Sequence, residues 1–224
     1  MTHAPITVNI SPSTRNNSHH HMKNASLVVL TAFVLAATAC SKTETPAPGA
    51  SPSTSPPPAA AAAPVANAGS SYDMVATDGK GFTVGALMSA QPVYVLFDPQ
   101  CPHCGRLWQA SLPLLDKVKF VWIPISFNPT KSIPQGAALL AAANPVEAMT
   151  AHEQSLLAGT GGMAASADVP DEIKQAITTN TQLLNRLGVE SVPFLLGKHR
   201  KSGEIVTFNG AMETAALANL LGVE

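Results

Sequence analysis

The sequence has little charge and few aromatic residues, and its positive and negative charges nearly cancel. Charged residues make up 12% and aromatic residues 5% of the 224 residues, and the formal net charge is −1. Because the chain has no block of Lys or Arg and no excess of positive charge, we expect no nucleic-acid partner. No apolar run reaches the roughly 20 residues of a membrane-spanning helix, so we expect a soluble body.

The amino-terminal region has the pattern of an export signal. All fourteen acidic residues lie after Cys40, whereas the only charged residues before it are Arg15 and Lys23. Lys23 precedes an uncharged apolar stretch over 25–39, which predicts a signal peptide over residues 22–39. We interpret residues 1–21 as an upstream extension, either a start codon assigned too early or added sequence, and leave them out of the fold.

Cys40 is the odd cysteine of three, and it directly follows the small residues of the signal. The pattern resembles the lipobox of bacterial lipoproteins, although Ala37 stands where leucine is usual, and ordinary cleavage after Ala39 is the alternative. Residues 41–70 are almost wholly Pro, Ala, Ser and Thr, with seven prolines and no aromatic residue. Such a segment cannot bury enough surface to fold. We therefore predict a lipid attachment site and a semi-rigid linker over residues 40–71.

Residues 72–224 remain for one folded domain, which is long enough for a single core. The apolar, β-rich run over 91–98 predicts a buried strand, and 118–126 predicts a second one. Apolar residues at helical spacing predict a helix over 102–116 between them, kinked at Pro113. A strand, a helix and a strand in this order favour a βαβ unit with parallel strands.

The second half of this domain is predicted to contain mainly helices, with two strands near its end. Alanine and leucine become frequent over 131–187, and β-branched residues become rare. The predicted helices cover 134–143, 145–157 and 170–187, the strands cover 193–197 and 204–208, and a last helix covers 211–221.

The chemistry of the sequence centres on Cys101 and Cys104, a C-x-x-C pair where the first strand gives way to a helix. This spacing places both sulfur atoms within disulfide reach and directs the free amides and the positive end of the helix dipole at Cys101. We predict that Cys101 is the nucleophile with a lowered pKa and that Cys104 is buried and resolves the mixed disulfide. Pro102 loses no useful amide at a helix start, and His103 can add positive charge and donate toward the Cys101 sulfur.

Other uses of this cysteine pair compete with redox chemistry. Zinc needs four ligands, and the chain has no second cysteine pair, while the spacing of His103, His152 and His199 matches no familiar zinc motif. A purely structural disulfide is unfavoured because so short a loop removes little chain entropy. We predict no metal and no cofactor; the alternative class is a metal carrier or a client-binding chaperone without enzymatic activity.

Four other residues of interest have structural interpretations. Trp108 and Trp122 are predicted to lie in the core, and His152 is predicted to be a solvated helix residue. Asp98, three residues before Cys101, could accept a proton near the pair, but an Asp-Pro turn explains it equally well. We therefore count none of them as site residues.

Residues 92–108, PVYVLFDPQCPHCGRLW, resemble the catalytic domain of the periplasmic thiol:disulfide interchange proteins DsbC and DsbG. The resemblance extends through the helical region to residues 187–193, LGVESVP. It implies an α/β thioredoxin-like fold with a helical insertion over about 131–188, and an exported thiol:disulfide oxidoreductase. It also implies that Pro193 is a cis-proline facing the cysteine pair and that the backbone of Val192 pairs with substrate.

Two departures from DsbC and DsbG affect the expected function. The Pro-His dipeptide and Val192 resemble the strongly oxidising DsbA. DsbC and DsbG instead carry a tyrosine as the second residue of the dipeptide, and a threonine before the proline that corresponds to Pro193. The direction of exchange therefore stays open between oxidation on one side and isomerisation or reduction, including rescue of sulfenylated cysteines, on the other. Low-complexity linker stands in place of the relatives' dimerisation domain, which predicts a monomer.

The resemblance also implies partners and a location. We expect cysteine-containing exported proteins as substrates, and a membrane partner that resets the pair, either a quinone-linked oxidase or a reductase. The expected location is the periplasm, with the protein tethered to a membrane through Cys40.

Overall fold

The computed structural model describes residues 67–224 of the chain. The predicted extension, the signal peptide, Cys40 and the linker as far as residue 66 lie outside the described residues. Within 67–224, no helix is both long enough and apolar enough to cross a membrane.

The described residues form one five-stranded mixed sheet with helices packed against it. The sheet has the order β1-β3-β2-β4-β5, with β2 and β3 parallel and the other neighbouring strands antiparallel. The strands are β1 Phe82–Gly85, β2 Val93–Phe97, β3 Lys119–Pro124, β4 Phe194–Lys198 and β5 Ile205–Asn209. The helices are α1 Ala68–Asp78, α2 Pro102–Ser111, α3 Pro129–Leu140, α4 Pro145–Leu157, α5 Asp171–Arg186 and α6 Thr214–Leu221, with a 3-10 turn over Leu112–Leu114 after α2.

The predicted βαβ unit is confirmed as β2, α2 and the parallel strand β3. All five residues of β2 are buried, as the uninterrupted apolar run indicated, because the strand lies between β3 and β4 and is covered on both faces. Its carboxyl end leads directly to the cysteine pair at the start of α2. The most central strand of the sheet thus positions the site.

The two largest differences between the predicted and observed helix boundaries both occur at prolines. The predicted kink at Pro113 is instead the end of α2 at Ser111, and the proline lies in the 3-10 turn. A proline there has no amide to donate into the helix, so the α-helix ends and a tighter 3-10 turn follows. The third helix begins at Pro129, and Pro134 lies inside it, whereas the prediction took Pro134 as its first residue.

The sequence analysis missed α1 and β1. The first helix begins at Ala68, so the predicted domain boundary at residue 72 lies within it. Its Ala, Gly and Ser residues resemble those of the linker, and burial of Tyr72 and Val75 against the domain is what distinguishes them. Strand β1 is only four residues long and pairs with the edge of β3, so its sequence gives a weak signal.

The core contains the two tryptophans, as predicted. Trp108 and Trp122 are at most 1% exposed, and their rings meet edge to face with centroids 5.2 Å apart. Trp108 Nε1 also donates to Thr150 Oγ1 at 3.1 Å, which ties α2 to α4 of the helical insertion. Asn180 of α5 is fully buried and donates to the carbonyl of Pro124 at the end of β3. The insertion, which comprises α3, α4 and α5 between β3 and β4, therefore packs firmly against the site-bearing unit.

Candidate active site

Asp98 fixes the chain between β2 and α2. Its carboxylate is 2% exposed and accepts hydrogen bonds from the amides of Gln100 at 2.7 Å and Phe127 at 2.6 Å and from the Ser132 hydroxyl at 2.7 Å. Its carbonyl accepts from the Cys101 amide at 2.9 Å. The Asp-Pro turn of the sequence analysis is therefore present, and the carboxylate also joins it to the segment that follows β3. Asp98 is a positioning residue for Cys101.

Cys101 and Cys104 have different environments although they share one helical turn. Cys101 is the N-cap residue of α2 and is partly exposed, whereas Cys104 is fully buried. Both are free thiols in this structure. Pro102 is the first residue of the helix, as predicted, where its missing amide has no partner to lose.

The surroundings separate the two thiols in acidity. The surroundings lower the pKa of Cys101 from 9.0 to about 6, chiefly through donation from the Cys104 thiol and against an opposing effect of burial. The backbone amides of Cys104 and His103 and the charge of the His103 side chain contribute to the same decrease. Burial raises the pKa of Cys104 well above 9.0, and the nearby Cys101 and Glu153 add to that increase. One thiol is ready to attack at neutral pH, and the other holds its proton.

His103 acts on Cys101 through its backbone amide and its charge. Its ring Nδ1 lies 3.2 Å from Arg106 Nη1, one turn along the exposed side of α2. The hydrogen bond near Cys101 comes from the His103 backbone amide, and the side chain contributes only through its charge. Among the described residues no hydrogen bond from the His103 ring to the Cys101 sulfur is seen, so the predicted donation from the ring stays a prediction.

Val192 and Pro193 lie against the cysteine pair although they are about 90 residues away in sequence. The Val192–Pro193 peptide bond is cis, as the resemblance implied. The Cys101 thiol donates to the Val192 carbonyl, with 3.5 Å between Sγ and O. The structure thus brings together Cys101, Cys104, Val192 and Pro193, which the sequence analysis had assigned to one site.

A cleft of about 290 Å³ opens beside Cys101. Its lining includes Phe127 and Asn128, which follow β3, and Glu190, Ser191 and Val192, which precede β4. The Phe127 side chain is 55% exposed, while its amide is held by Asp98. An exposed aromatic ring beside a reactive thiol offers an apolar contact for a substrate chain. Sequence analysis missed it because nothing local distinguishes Phe127 from a core residue.

A second groove, of about 620 Å³, lies on the other side of α2. Its lining includes His103, Arg106, Gln109 and Met212, but not Cys101. The reactive sulfur therefore opens onto the smaller cleft and not onto this groove.

His152 is not solvated, and that prediction is wrong. The residue is fully buried on α4, its Nε2 donates to the Pro99 carbonyl at 2.7 Å, and its Nδ1 accepts from the Met163 amide at 3.1 Å. These partners assign the neutral tautomer with hydrogen on Nε2, and burial lowers the pKa of His152. Gly162 leaves room for the ring, because a Cβ there would lie 2.5 Å from its Cε1. His152 thus ties α4 to the segment before Cys101.

Glu153, the next residue on α4, is the other site residue that the sequence analysis missed. Its side chain is fully buried, and neither carboxyl oxygen has a hydrogen-bond partner among the described residues. Burial raises its pKa to about 9, with further contributions from Cys101 and Asp98.

Within residues 67–224, no three His, Cys, Asp or Glu side chains form a group that could hold a metal ion.

The acidity of Cys101 is directly measurable in the reduced protein. We expect ultraviolet titration of the thiolate to give a midpoint near pH 6, the value set by its surroundings. Replacing Cys104 with Ala removes the strongest stabilising hydrogen bond and should raise the midpoint, whereas H103A should raise it less. A wild-type midpoint at the pKa of a free thiol, about 8.5, would contradict the assignment.

Comparison with known proteins agrees with the geometry of the site. No family model matches the chain. It is 30% identical over 132 residues to the thiol:disulfide interchange protein DsbG of Pseudomonas aeruginosa, which covers 58% of this chain and 50% of that protein. It is also 30% identical over 103 residues to DsbG of Escherichia coli, covering 45% and 41%. The chain therefore matches half or less of the length of these curated relatives.

Solved structures show the same fold at lower sequence identity. The catalytic domain of Proteus mirabilis ScsC superposes with a TM-score of 0.53 at 18% identity, covering 68% of this chain and 93% of that one. A periplasmic thioredoxin-like protein of Salmonella enterica serovar Typhimurium gives 0.54 at 17%, covering 69% and 95%. The thiol-disulfide exchange protein α-DsbA2 of Wolbachia pipientis gives 0.53 at 17%, covering 71% and 98%. Residues 67–224 thus form a thioredoxin-like domain with a helical insertion, and part of the chain is similar in sequence to about half the length of the thiol:disulfide interchange protein DsbG.

Proposed function

We propose that this protein is an exported thiol:disulfide oxidoreductase that exchanges disulfides with other exported proteins through Cys101 and Cys104. The observation that carries the proposal is the contrast between the two thiols. Cys101 is partly exposed, has a pKa lowered to about 6 and opens onto a cleft, whereas Cys104 is buried and has a raised pKa. A nucleophile with a resolving partner one turn away is what thiol–disulfide exchange requires.

The exchange proceeds in two balanced displacements. The Cys101 thiolate attacks one sulfur of a substrate disulfide, forms a mixed disulfide with it and expels the other substrate sulfur as a thiolate. Cys104, after losing its proton, attacks Cys101 Sγ, forms the Cys101–Cys104 disulfide and expels the second substrate thiolate. The reverse sequence oxidises a substrate dithiol and leaves the pair reduced.

The cleft beside Cys101 holds the substrate segment in this proposal. The Val192 carbonyl lies 3.5 Å from Cys101 Sγ, so a chain paired with the backbone there passes over the reactive sulfur. The ring of Phe127 faces the same cleft and gives an apolar contact to a side chain near the substrate cysteine. Pro193 holds the strand end that bears this carbonyl.

The local electrostatics favour net oxidation of substrates. Hydrogen bonds to the Cys101 sulfur stabilise the thiolate, which exists only in the reduced protein. A stabilised reduced form makes the corresponding disulfide a stronger oxidant. In this proposal a membrane partner of the quinone-linked oxidase type returns the pair to the disulfide after each turnover.

The amino-terminal sequence supports a tethered location. The signal peptide over 22–39 sends the chain to the periplasm, Cys40 carries the lipid, and the proline-rich linker separates the domain from the membrane. The low-complexity linker before the domain supports a monomer in this proposal.

The exchange mechanism predicts a trapped intermediate. Cys104→Ala removes the resolving thiol, so reduced C104A protein incubated with a disulfide-containing substrate should accumulate a mixed disulfide that runs as a larger species until reductant is added. Cys101→Ala should form none, because the buried Cys104 cannot reach the substrate. Failure of C104A to form any mixed disulfide, or purification of wild type with stoichiometric metal on the pair, would contradict the proposal.

The substrate cleft predicts a role for Phe127. Phe127→Ala removes the apolar wall and should raise the KM for a disulfide-containing peptide with an apolar residue beside its cysteine by several-fold, while kcat changes little. Met88→Ala is a matched control: Met88 is 98% exposed in the turn before β2, at the end of that strand opposite the cysteine pair. Equal effects of both variants, or none from F127A, would remove Phe127 from the substrate site.

The tether is testable in cells. Labelled palmitate should be incorporated into the exported wild-type protein and not into a Cys40→Ala variant, whose domain should then appear in the soluble periplasmic fraction. An exported wild-type protein without label would show that cleavage occurs at an ordinary signal peptidase site.

A further inference from the structure

Helix α4 places an acidic side chain against the cysteine pair. Glu153 is fully buried, and neither Oε1 nor Oε2 accepts a hydrogen bond from any described residue. An ionised carboxylate in such a place is costly, because no donor or positive charge compensates for the lost water. A leucine would fill about the same volume without the cost of burying an unpaired carboxyl group. The presence of Glu153 here therefore indicates a chemical role.

Gly105, the residue directly after Cys104, makes the space for this carboxyl group. A Cβ at position 105 would lie 2.6 Å from Glu153 Oε2 and 3.2 Å from Leu157 Cγ. The carboxyl oxygen therefore rests on the bare backbone of α2 within its first turn. The glycine is helical without a positive φ, so backbone conformation does not require it. The close approach of Glu153 accounts for it.

The groups that share the electrostatic environment of Glu153 belong to the redox site. Cys101 and Asp98 both raise the pKa of Glu153, and Glu153 in turn raises the pKa of Cys104. The coupling therefore runs in both directions between the carboxyl group and the cysteine pair. On the other side of α2, His103 and Arg106 contact each other on the exposed surface.

The remaining elements around α4 bring no compensating charge. On α4 itself, the neighbouring His152 is neutral and engaged with Pro99 and Met163, and Glu147 is exposed. The only charged residue of α3 is the exposed Lys131, and β1 contains no titratable residue. The charge state of Glu153 thus depends mainly on its burial and on the cysteine pair.

We propose that Glu153 exchanges a proton with Cys104 Sγ when the mixed disulfide is resolved, an inference that rests on the proposed function. In that step the Glu153 carboxylate takes the Cys104 thiol proton. The Cys104 electron pair forms the bond to Cys101 Sγ, the bond between Cys101 and the substrate breaks, and its electron pair leaves on the substrate sulfur. In the reverse direction the Glu153 carboxyl group returns the proton to Cys104 as the pair opens.

The first displacement changes the charge on Cys101, and this change affects the pKa of Glu153 before the second displacement. Burial is the main reason that the pKa of Glu153 is raised, and the negative charge of the Cys101 thiolate adds to the increase and favours the protonated carboxyl group. Once Cys101 has formed a mixed disulfide, that charge is gone and the pKa of Glu153 falls. The carboxylate form is therefore less disfavoured at the stage when Cys104 has to lose a proton, and in this proposal the helical insertion contributes directly to the redox chemistry.

Dithionitrobenzoate separates the two displacements in one experiment. Attack by Cys101 releases one thionitrobenzoate, and attack by Cys104 on the resulting mixed disulfide releases the second, so a stopped-flow trace has a fast and a slow phase. We expect Glu153→Gln to leave the fast phase nearly unchanged and to slow the second by on the order of 100-fold at neutral pH. The slow phase of E153Q should then rise about tenfold per pH unit, as hydroxide becomes the proton acceptor.

Matched variants separate proton exchange from packing. Glu153→Asp keeps a carboxyl group and should recover much of the slow phase with a wild-type pH profile. Glu147→Gln removes an exposed charge from the same helix and should leave both phases unchanged. Gly105→Ala retains Glu153 but displaces its carboxyl group from α2, and should slow the second phase as E153Q does. If E153Q does not fold, G105A provides the same test of the second phase.

The outcomes distinguish this inference from the function on which it rests. A slow phase in E153Q or G105A with the wild-type rate and pH profile would overturn it, as would a pH-independent loss that E153D does not recover. The absence of the fast phase from wild type would instead contradict the oxidoreductase function, whatever the role of Glu153.

Discussion

The site depends on one structural constraint: helix α2 begins at the carboxyl end of the central strand β2, with Cys101 as its N-cap. Amides that the first turn cannot pair internally therefore face the Cys101 sulfur. The buried carboxylate of Asp98 holds this junction through its bonds to the amides of Gln100 and Phe127. The thiolate character of Cys101, the burial of Cys104 and the position of the substrate cleft all follow from where that helix starts.

The helical insertion does more than cover the sheet. Consecutive residues of α4 serve different parts of the site, since His152 binds the carbonyl of Pro99 and Glu153 lies against the first turn of α2. Each requires a glycine opposite it, Gly162 for the ring and Gly105 for the carboxyl group. In the proposed mechanism α2 sets the acidity of the attacking thiol of Cys101, and Glu153 of α4 accepts and returns the proton of the resolving thiol of Cys104.

Sequence features that act locally were predicted well, and those that depend on distant packing were not. The strand, the C-x-x-C pair and the proline at the helix start lie within a dozen residues, so spacing and residue type sufficed for Cys101 and Cys104. Pro193 was found only through resemblance, because nothing in the residues around it indicates what it faces. The environments of His152, Glu153 and Phe127 depend on contacts with Pro99, Gly105 and Asp98, which are distant in sequence, so a solvated histidine was the reasonable but wrong interpretation.

The equilibrium of the Cys101–Cys104 pair with glutathione tests the central claim most directly, because it compares the free energies of the thiolate form and the disulfide form. If α2 stabilises the Cys101 thiolate as the structure indicates, the reduction potential of the pair should be more oxidising than the range of about −200 to −230 mV found for glutaredoxins. A potential near the value of about −270 mV for thioredoxin would contradict the account, since the reduced form would then have no special stability.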